Sequence, residues 1–346
     1  MKVLVIKLSS LGDVVHTFPA VTDAARAIPG LELDWAVEDA FVPLVKLHPS
    51  VRRVIPVPLR RLKKKPLAAL RSGEAGAVRA ALQSERYDVV IDAQGLMKSA
   101  AVGLFAHGRR HGFDRATARE GMASLTYGQG HHLPETEHMA VRIRKLFAAA
   151  LGYSLDGLKA DAGLVTAPPP PMSGPYWVFL HGTTWGTKTW TVPHWRELAA
   201  RAGKAKLDVV LFAHGAKEEA RAAAIAADLP NVHRAPPAGL DAVAPILAGA
   251  EAVVTVDTGL GHLAAALGVP TIGLYGPTNP VLTGLFGPKV LELRSLRDCA
   301  PCEKQICRIA PDRTEGPPCL ADFTGSDIWR SVSLLRLGSA DAMDKM

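Results

Sequence analysis

The chain has 346 residues, 48% of them hydrophobic and 21% charged, with a formal net charge of +7. That composition excludes a disordered or fibrous protein, and no apolar run approaches the roughly 18–20 residues that span a bilayer. The positive excess suits phosphates, nucleic acid or an acidic membrane surface, but few aromatics (6%) and no RNP-like or zinc-finger pattern argue against nucleic acid.

In chain order, residues 3–6 form a short apolar run and read as a buried strand. An amphipathic stretch over 14–27 predicts a helix, 33–37 and 53–57 predict strands, an Ala/Leu-rich segment around 67–83 predicts a helix, and 88–91 a further strand. β-branched runs separated by helices indicate a parallel sheet covered on both faces. Four consecutive prolines in TAPPPPMSGP can continue neither a helix nor a central strand, so they mark a linker. The alternation then restarts, with strands at 177–180, 209–212, 252–256 and 271–275. Helices are predicted at 193–202, 218–227, 241–247 and 262–267, the last ended by Gly268 and Pro270. The predicted layout is an α/β chain of two Rossmann-like domains facing a cleft: 1–167, a linker over 168–175, 176–325, and a terminal helix and tail over 326–346. A chain that begins at once with a strand carries no secretory signal, so a cytosolic, membrane-surface location is expected.

In open parallel sheets ligands bind beyond the carboxyl ends of the strands, which directs attention to the loops there. After residues 252–256, Asp257-Thr258-Gly259 ends a strand and Gly261-His262 opens a helix. Free N–H groups at that helix start suit a pyrophosphate; a tight turn capped by Asp257 explains the segment equally well. FLHGTTWGTKTW places Thr183, Thr184 and Lys188 after another strand, where hydroxyls and an ammonium suit phosphate oxygens, although a lysine in a loop is commonly just solvated. Neither G-x-x-x-x-G-K-[ST] nor G-x-G-x-x-G is present, which disfavours a P-loop kinase and a dinucleotide oxidoreductase. Glu218 is either a first-turn acid that complements a helix dipole or an acceptor for ribose hydroxyls. PLRRLKKKP groups Arg60, Arg61, Lys63, Lys64 and Lys65 in one stretch, a solvated charge run or a basic loop for a polyanion or acidic headgroups. Arg119, Arg142 and Arg144 either extend it or lie on helix surfaces, and His131, His132 and His138 lack the spacing of metal ligands. Cys299, Cys302, Cys307 and Cys319 follow a C-x2-C-x4-C-x11-C pattern. Reduced, they suggest a structural zinc or iron site; disulfides or small buried thiols are the alternatives.

Together, SSLGDVVHTFPAV, IDAQGLMKSA, HGTTWGTK, VDTGLGHLAAALGVPTIGLYGPTNP and the basic LRRLKKK loop resemble the lipopolysaccharide heptosyltransferases, over residues 1 to about 337. The resemblance implies a GT-B fold, with an N-terminal acceptor domain, a C-terminal ADP-heptose domain and a final helix, over 328–337, crossing back to the N-terminal domain. It implies inverting transfer of L-glycero-D-manno-heptose from ADP-heptose to a Kdo residue of Kdo2–lipid A, at the cytoplasmic face of the inner membrane. By motif, Asp13 would be the general base. Lys188, Thr183 and Thr184 would hold the pyrophosphate, Asp257, Thr258, Gly259 and His262 would line the donor site, and Glu218 would bind the ribose. Ser10, Arg60, Arg61, Lys64 and Arg119 would meet the acceptor. No cofactor is required for catalysis on this reading, and the cysteine cluster is where the chain departs from the family member that adds the first heptose. The branches that add the second heptose or modify proteins therefore stay open, as do a non-catalytic nucleotide- or metal-binding scaffold and a sugar-nucleotide epimerase.

Overall fold

Apolar residues that show no alternation must be buried on both sides, and residues 3–6 behave accordingly: each of Val3, Leu4, Val5 and Ile6 is 0% exposed. They form β1 (Lys2–Ile6), with β2 (Glu32–Glu38), β3 (Val51–Val57), β4 (Arg86–Asp92), β5 (His107–Phe113) and β6 (Gln129–His131) beside it in one sheet. The computed structural model describes residues 1–64, 73–313 and 316–336, without the side chains of residues 62–64. The sheet is parallel, in the order β3-β2-β1-β4-β5-β6. A second parallel sheet contains β7 (Tyr176–Leu180), β8 (Asp208–Leu211), β9 (Val232–Arg234), β10 (Ala252–Val256), β11 (Thr271–Tyr275) and β12 (Val290–Arg294), in the order β12-β11-β10-β7-β8-β9. Read from its other edge, that order repeats the first. The chain divides into two compact units, Met1–Val165 and Thr166–Met346, and the prolines expected to link two domains fall at the start of the second.

In each sheet the order reverses at one place, between β1 and β4 and between β7 and β10. A doubly wound sheet binds its ligand outside the carboxyl ends of the strands at that switch point. The loops that deserve chemical scrutiny are thereby reduced to those after Ile6, Asp92, Leu180 and Val256.

The helix expected over residues 14–27 is two helices, Leu11–Val15 and Phe18–Ala27. Pro19 explains the break: it lacks an N–H and its ring would collide with the carbonyl four residues back, so it is tolerated only in the first turn of a new helix. Of the helix expected around 67–83, Glu74–Gln83 is present and residues 67–72 lie outside the described residues. The terminal segment forms the helix Gly325–Arg336; Ile328 and Val332 are fully buried in the second unit's core, and the Trp329 ring lies 5.0 Å from that of Trp177.

Gly261 sets how closely the helix Gly259–Ala266 approaches β10. A Cβ at that position would stand 2.6 Å from Thr255 Oγ1 and 2.7 Å from its Cγ2, and Thr255 is fully buried. Gly261→Ala therefore overpacks the strand–helix contact and lowers stability by about 1–3 kcal/mol. Urea unfolding checks this; an unchanged midpoint would show that the helix shifts at no cost.

Candidate active site

At the first switch point, the residue after β1 is a lysine that is 1% exposed. Lys7 Nζ donates to the Ala93 carbonyl at 2.9 Å and lies 3.7 Å from Asp13 Oδ1. The turn between them is held from β4. Leu8 N–H donates to Gln94 Oε1 at 2.8 Å, and Gln94 Nε2 donates to the Ser9 carbonyl at 2.7 Å. Gln94 and Gly95 in turn give their N–H groups to Asp92, which also accepts from Ser99 Oγ at 2.8 Å and the Tyr127 hydroxyl at 2.7 Å. Burial pushes the Asp92 carboxyl up, against the pull of these donors. Four donors converging on one buried oxygen pair make a rigid support for the turn.

Asp13 is the outlet of this network. It accepts from Ser10 N–H at 3.0 Å and Ser10 Oγ at 3.1 Å, and Arg119 reaches it at 3.1 and 3.4 Å. Burial opposes its charge, but Lys7, then Arg119, hold its carboxyl well below the usual range. Ser10 and Arg119, both expected at the acceptor, are thus partners of Asp13 in this structure.

The second switch point also pairs a largely buried carboxylate with a lysine. Lys188 sits on the short turn Gly186–Lys188, with Nζ 2.7 Å from Asp257 Oδ2 and 4.3 Å from the centre of the Trp185 ring. Asp257, directly after β10, also accepts from Thr278 Oγ1 at 2.8 Å and lies 3.7 Å from His262 Nε2. Burial again opposes the charge, and His262 with Lys188 keeps the carboxyl well below its usual range. Thr183 Oγ1 lies 3.5 Å from the Asp257 carbonyl, and Thr184 is exposed on the same turn. The helix Gly259–Ala266 is capped by Thr258, whose side chain makes no capping hydrogen bond; Asp257 is not its cap. Glu218 accepts from His214 N–H at 2.9 Å and presses on Gly182, where a Cβ would lie 2.6 Å from either carboxylate oxygen. The structure therefore brings Thr183, Lys188, Asp257, Thr258, Gly259 and His262 to one place, with Glu218 beside Gly182 at the end of the same strand.

A group whose folded pKa is depressed adds stability above its unfolded pKa, about 3.9 for Asp, and loses it as pH falls through the folded value. Asp13 and Asp257 both belong to this kind. Burial also holds His48 and His181 at about 4, so the unfolded chain binds their protons first and stability declines as pH falls below about 6.5. The urea midpoint should decline gently from there and more steeply below about pH 4, and Asp13→Asn with Asp257→Asn should remove the steeper part; an equally steep fall below about pH 4 in that double variant would contradict the assignments.

The basic residues behave differently from one another. Arg60 Nε pairs with Glu38 at 2.9 Å and Arg61 with Asp39 at 2.5 Å; both arginines are exposed, on the helix Leu59–Lys64. The side chains of Lys63 and Lys64, and all of Lys65, lie outside the described residues. Arg142 and Arg144 are not part of a basic surface. Arg142 is 4% exposed and donates to the Thr117 and Leu133 carbonyls at 2.7 and 3.1 Å, while Arg144 pairs with buried Asp23. Helical spacing could not distinguish such inward arginines from surface ones. His132 pairs with Asp114 and His138 accepts from Ala140 N–H, ordinary polar roles. Lys7, Asp92 and Gln94 were not anticipated as site residues, although IDAQGLMKSA contains two of them; the signal was their position directly after β1 and at the end of β4.

The four cysteines form no disulfide; Cys319 is buried and Cys299 exposed. All four line one cavity of ≈ 300 Å³. Among the described residues, no three His, Cys, Asp or Glu side chains are already arranged to hold a metal. Burial, helped by the other three cysteines, pushes the Cys319 thiol up to about 11.

Comparison with known proteins agrees with this architecture. The family described as Glycosyltransferase family 9 (heptosyltransferase) matches residues 75–311. The chain is 48% identical over 318 residues to lipopolysaccharide heptosyltransferase 1 of Pseudomonas aeruginosa, covering 90% of this chain and 88% of that protein. To its Escherichia coli K12 counterpart it is 46% identical over 302 residues, covering 86% and 95%. The solved structure of E. coli heptosyltransferase WaaC with ADP superposes with a TM-score of 0.86 at 40% identity, over 97% of this chain and all of that one. Two parallel doubly wound sheets with a charged turn at each switch point are those of a GT-B glycosyltransferase. The chain belongs to glycosyltransferase family 9, the heptosyltransferases.

Proposed function

We propose that the chain transfers L-glycero-D-manno-heptose from ADP-heptose, with inversion, to a Kdo residue of Kdo2–lipid A in inner-core lipopolysaccharide synthesis. The observation that carries the donor half is the Lys188–Asp257 pair beside Thr183 and the start of the helix Gly259–Ala266. A cation, hydroxyls and helix N–H groups together suit a diphosphate. The relatives named lipopolysaccharide heptosyltransferase 1 support the sugar and the pathway.

Inverting transfer needs a base on the acceptor hydroxyl and stabilisation of the departing diphosphate. Asp13 is the base. Held as a carboxylate by Lys7 and Arg119, it is always ready but weak, so it takes the proton late, once the anomeric carbon has become oxocarbenium-like and the hydroxyl has acidified. The departing ADP gains negative charge, and Lys188 with the helix start stabilises that charge more in the transition state than in the ground state. Glu218 accepts from the ribose. Arg60, Arg61 and Lys64 meet the acceptor's carboxylates and phosphates, for which Arg119 also has an exposed edge. Among the described residues no helix is long and apolar enough to cross a membrane. A lipid-anchored acceptor is what supports a peripheral position for the chain, at the cytoplasmic face of the inner membrane.

The test is product analysis with ADP-heptose and Kdo2–lipid A: one heptose gained per acceptor, with one ADP released. Donor consumed without a modified acceptor would overturn the reading. With Lys188 as the diphosphate cation, added Mg2+ should leave the rate unchanged; a rate abolished by EDTA and restored by Mg2+ would place a metal at the leaving group instead.

A further inference from the structure

Between β12 and the helix Pro318–Ala321, residues 295–317 contain no helix or strand among those described. Structureless segments of this length are uncommon in compact domains unless they serve a function or are held by something else. An apolar core does not hold this one, because Leu296, Ile306 and Ile309 are 96%, 70% and 61% exposed. Arg297 ties its start to Asp322 at 2.6 and 2.7 Å, and several further attachments run to the donor site. Thr187 Oγ1, in the turn that carries Lys188, donates to the Lys304 carbonyl at 2.7 Å. Glu303 receives the Asn279 N–H at 2.9 Å and gives its own N–H to the Pro277 carbonyl at 2.7 Å, one residue from the threonine that bonds Asp257. Gly316 N–H donates to Thr189 Oγ1 at 3.0 Å.

The cavity lined by all four thiols lies inside these attachments, and Thr187 and Pro277 also line it. Cys319 is its fixed wall: it is 8% exposed, and its Sγ sits where a Cβ on Gly276 would come within 2.6 Å. Four unpaired thiols around one cavity, two of them in a C-x2-C spacing, are a donor set for a soft divalent ion. The three loop cysteines are not yet gathered about a common point, which is expected of a site whose ligand geometry and loop order form together on binding.

We propose that Cys299, Cys302, Cys307 and Cys319 take one thiophilic divalent cation, Zn2+ or Fe2+, and that the ion clamps this loop against the turn carrying Lys188. Each thiol gives its proton to solvent as it becomes a thiolate ligand, and no electron changes hands. The ion is structural and touches neither donor nor acceptor. The binding site stands on the cysteines alone, whereas its effect on the turn rests on the donor-site reading above.

The experiment begins with metal analysis of chain purified under reducing conditions. About one zinc or iron per chain is expected, and the element found distinguishes the two. Stripped chain titrated with Co2+ should develop the thiolate-to-cobalt charge-transfer band and saturate at one equivalent. Cys299→Ser with Cys302→Ser should abolish that band. Calorimetry with ADP should show roughly tenfold weaker binding to stripped chain, restored by Zn2+ or Fe2+. Chain that holds no metal, gives no cobalt band and exposes four thiols equally reactive with and without added Zn2+ or Fe2+ would overturn the site. A stoichiometric ion whose removal leaves ADP affinity unchanged would overturn the clamp. Neither readout depends on heptose transfer, so failure of the transferase reading would show separately.

Discussion

Asp13→Asn should lower turnover by about 10²–10⁴-fold, the usual worth of a positioned base, while ADP binds with nearly unchanged affinity. The substitution keeps the shape and leaves an oxygen for Ser10 but removes the proton acceptor. It has a second consequence. Lys7 is 1% exposed and, among the charged partners around it, Asp13 is the nearest carboxylate, at 3.7 Å. Loss of that anion leaves a buried ammonium uncompensated, a change that costs about 3–5 kcal/mol when one partner of a buried pair is removed. The double change Asp13→Asn with Lys7→Met should recover most of the stability and none of the turnover. Initial rates at saturating substrates, ADP calorimetry and urea unfolding read the three quantities separately. Asp13→Asn with wild-type turnover would end its role as base.

Lys188→Ala should slow transfer by about 10²–10³-fold, comparable to losing one preorganised donor at a developing oxyanion. Unlike the change at Asp13, it should also weaken ADP. Asp257, 2.7 Å from the ammonium, then faces the incoming diphosphate without its cation and repels it. A second change, Asp257→Asn, should return part of the ADP affinity without restoring the rate, because the repulsion goes but the cation is still missing. If Lys188→Ala raises KM alone and leaves kcat intact, the lysine merely holds substrate and gives no extra help to the transition state.

The strands buried on both faces were legible because nothing competes with that pattern: residues 252–256 and 271–275 were expected and are β10 and β11. β5 was not. Its sequence, HGRRHGF, is polar and contains two glycines; it pairs with β4 and β6, and only its last three residues are buried. β6 and β9 are three residues long, too short for any period to show. At the candidate sites, Asp13 and Lys188 drew attention because each follows an apolar strand by seven or eight residues, in the next short helical segment. Lys7 did not, since a lysine after a strand is ordinarily solvated and only the neighbouring strand reveals its burial. The same holds for Gln94, whose bonds to Leu8 and Ser9 cross more than eighty positions of sequence. Such contacts are written in the strand order, which pairs β1 with β4, and not in any local stretch.

That strand order occurs twice, and each occurrence carries a pair of opposite charges. The turn after the first strand of one unit offers an anion, Asp13, whereas the corresponding turn of the other offers a cation, Lys188. Each is steadied by a residue of the other sign. Neither group therefore acts as an isolated point charge: a proton or ligand that changes one member of a pair changes the field at the other, so each turn responds to its occupant as a unit.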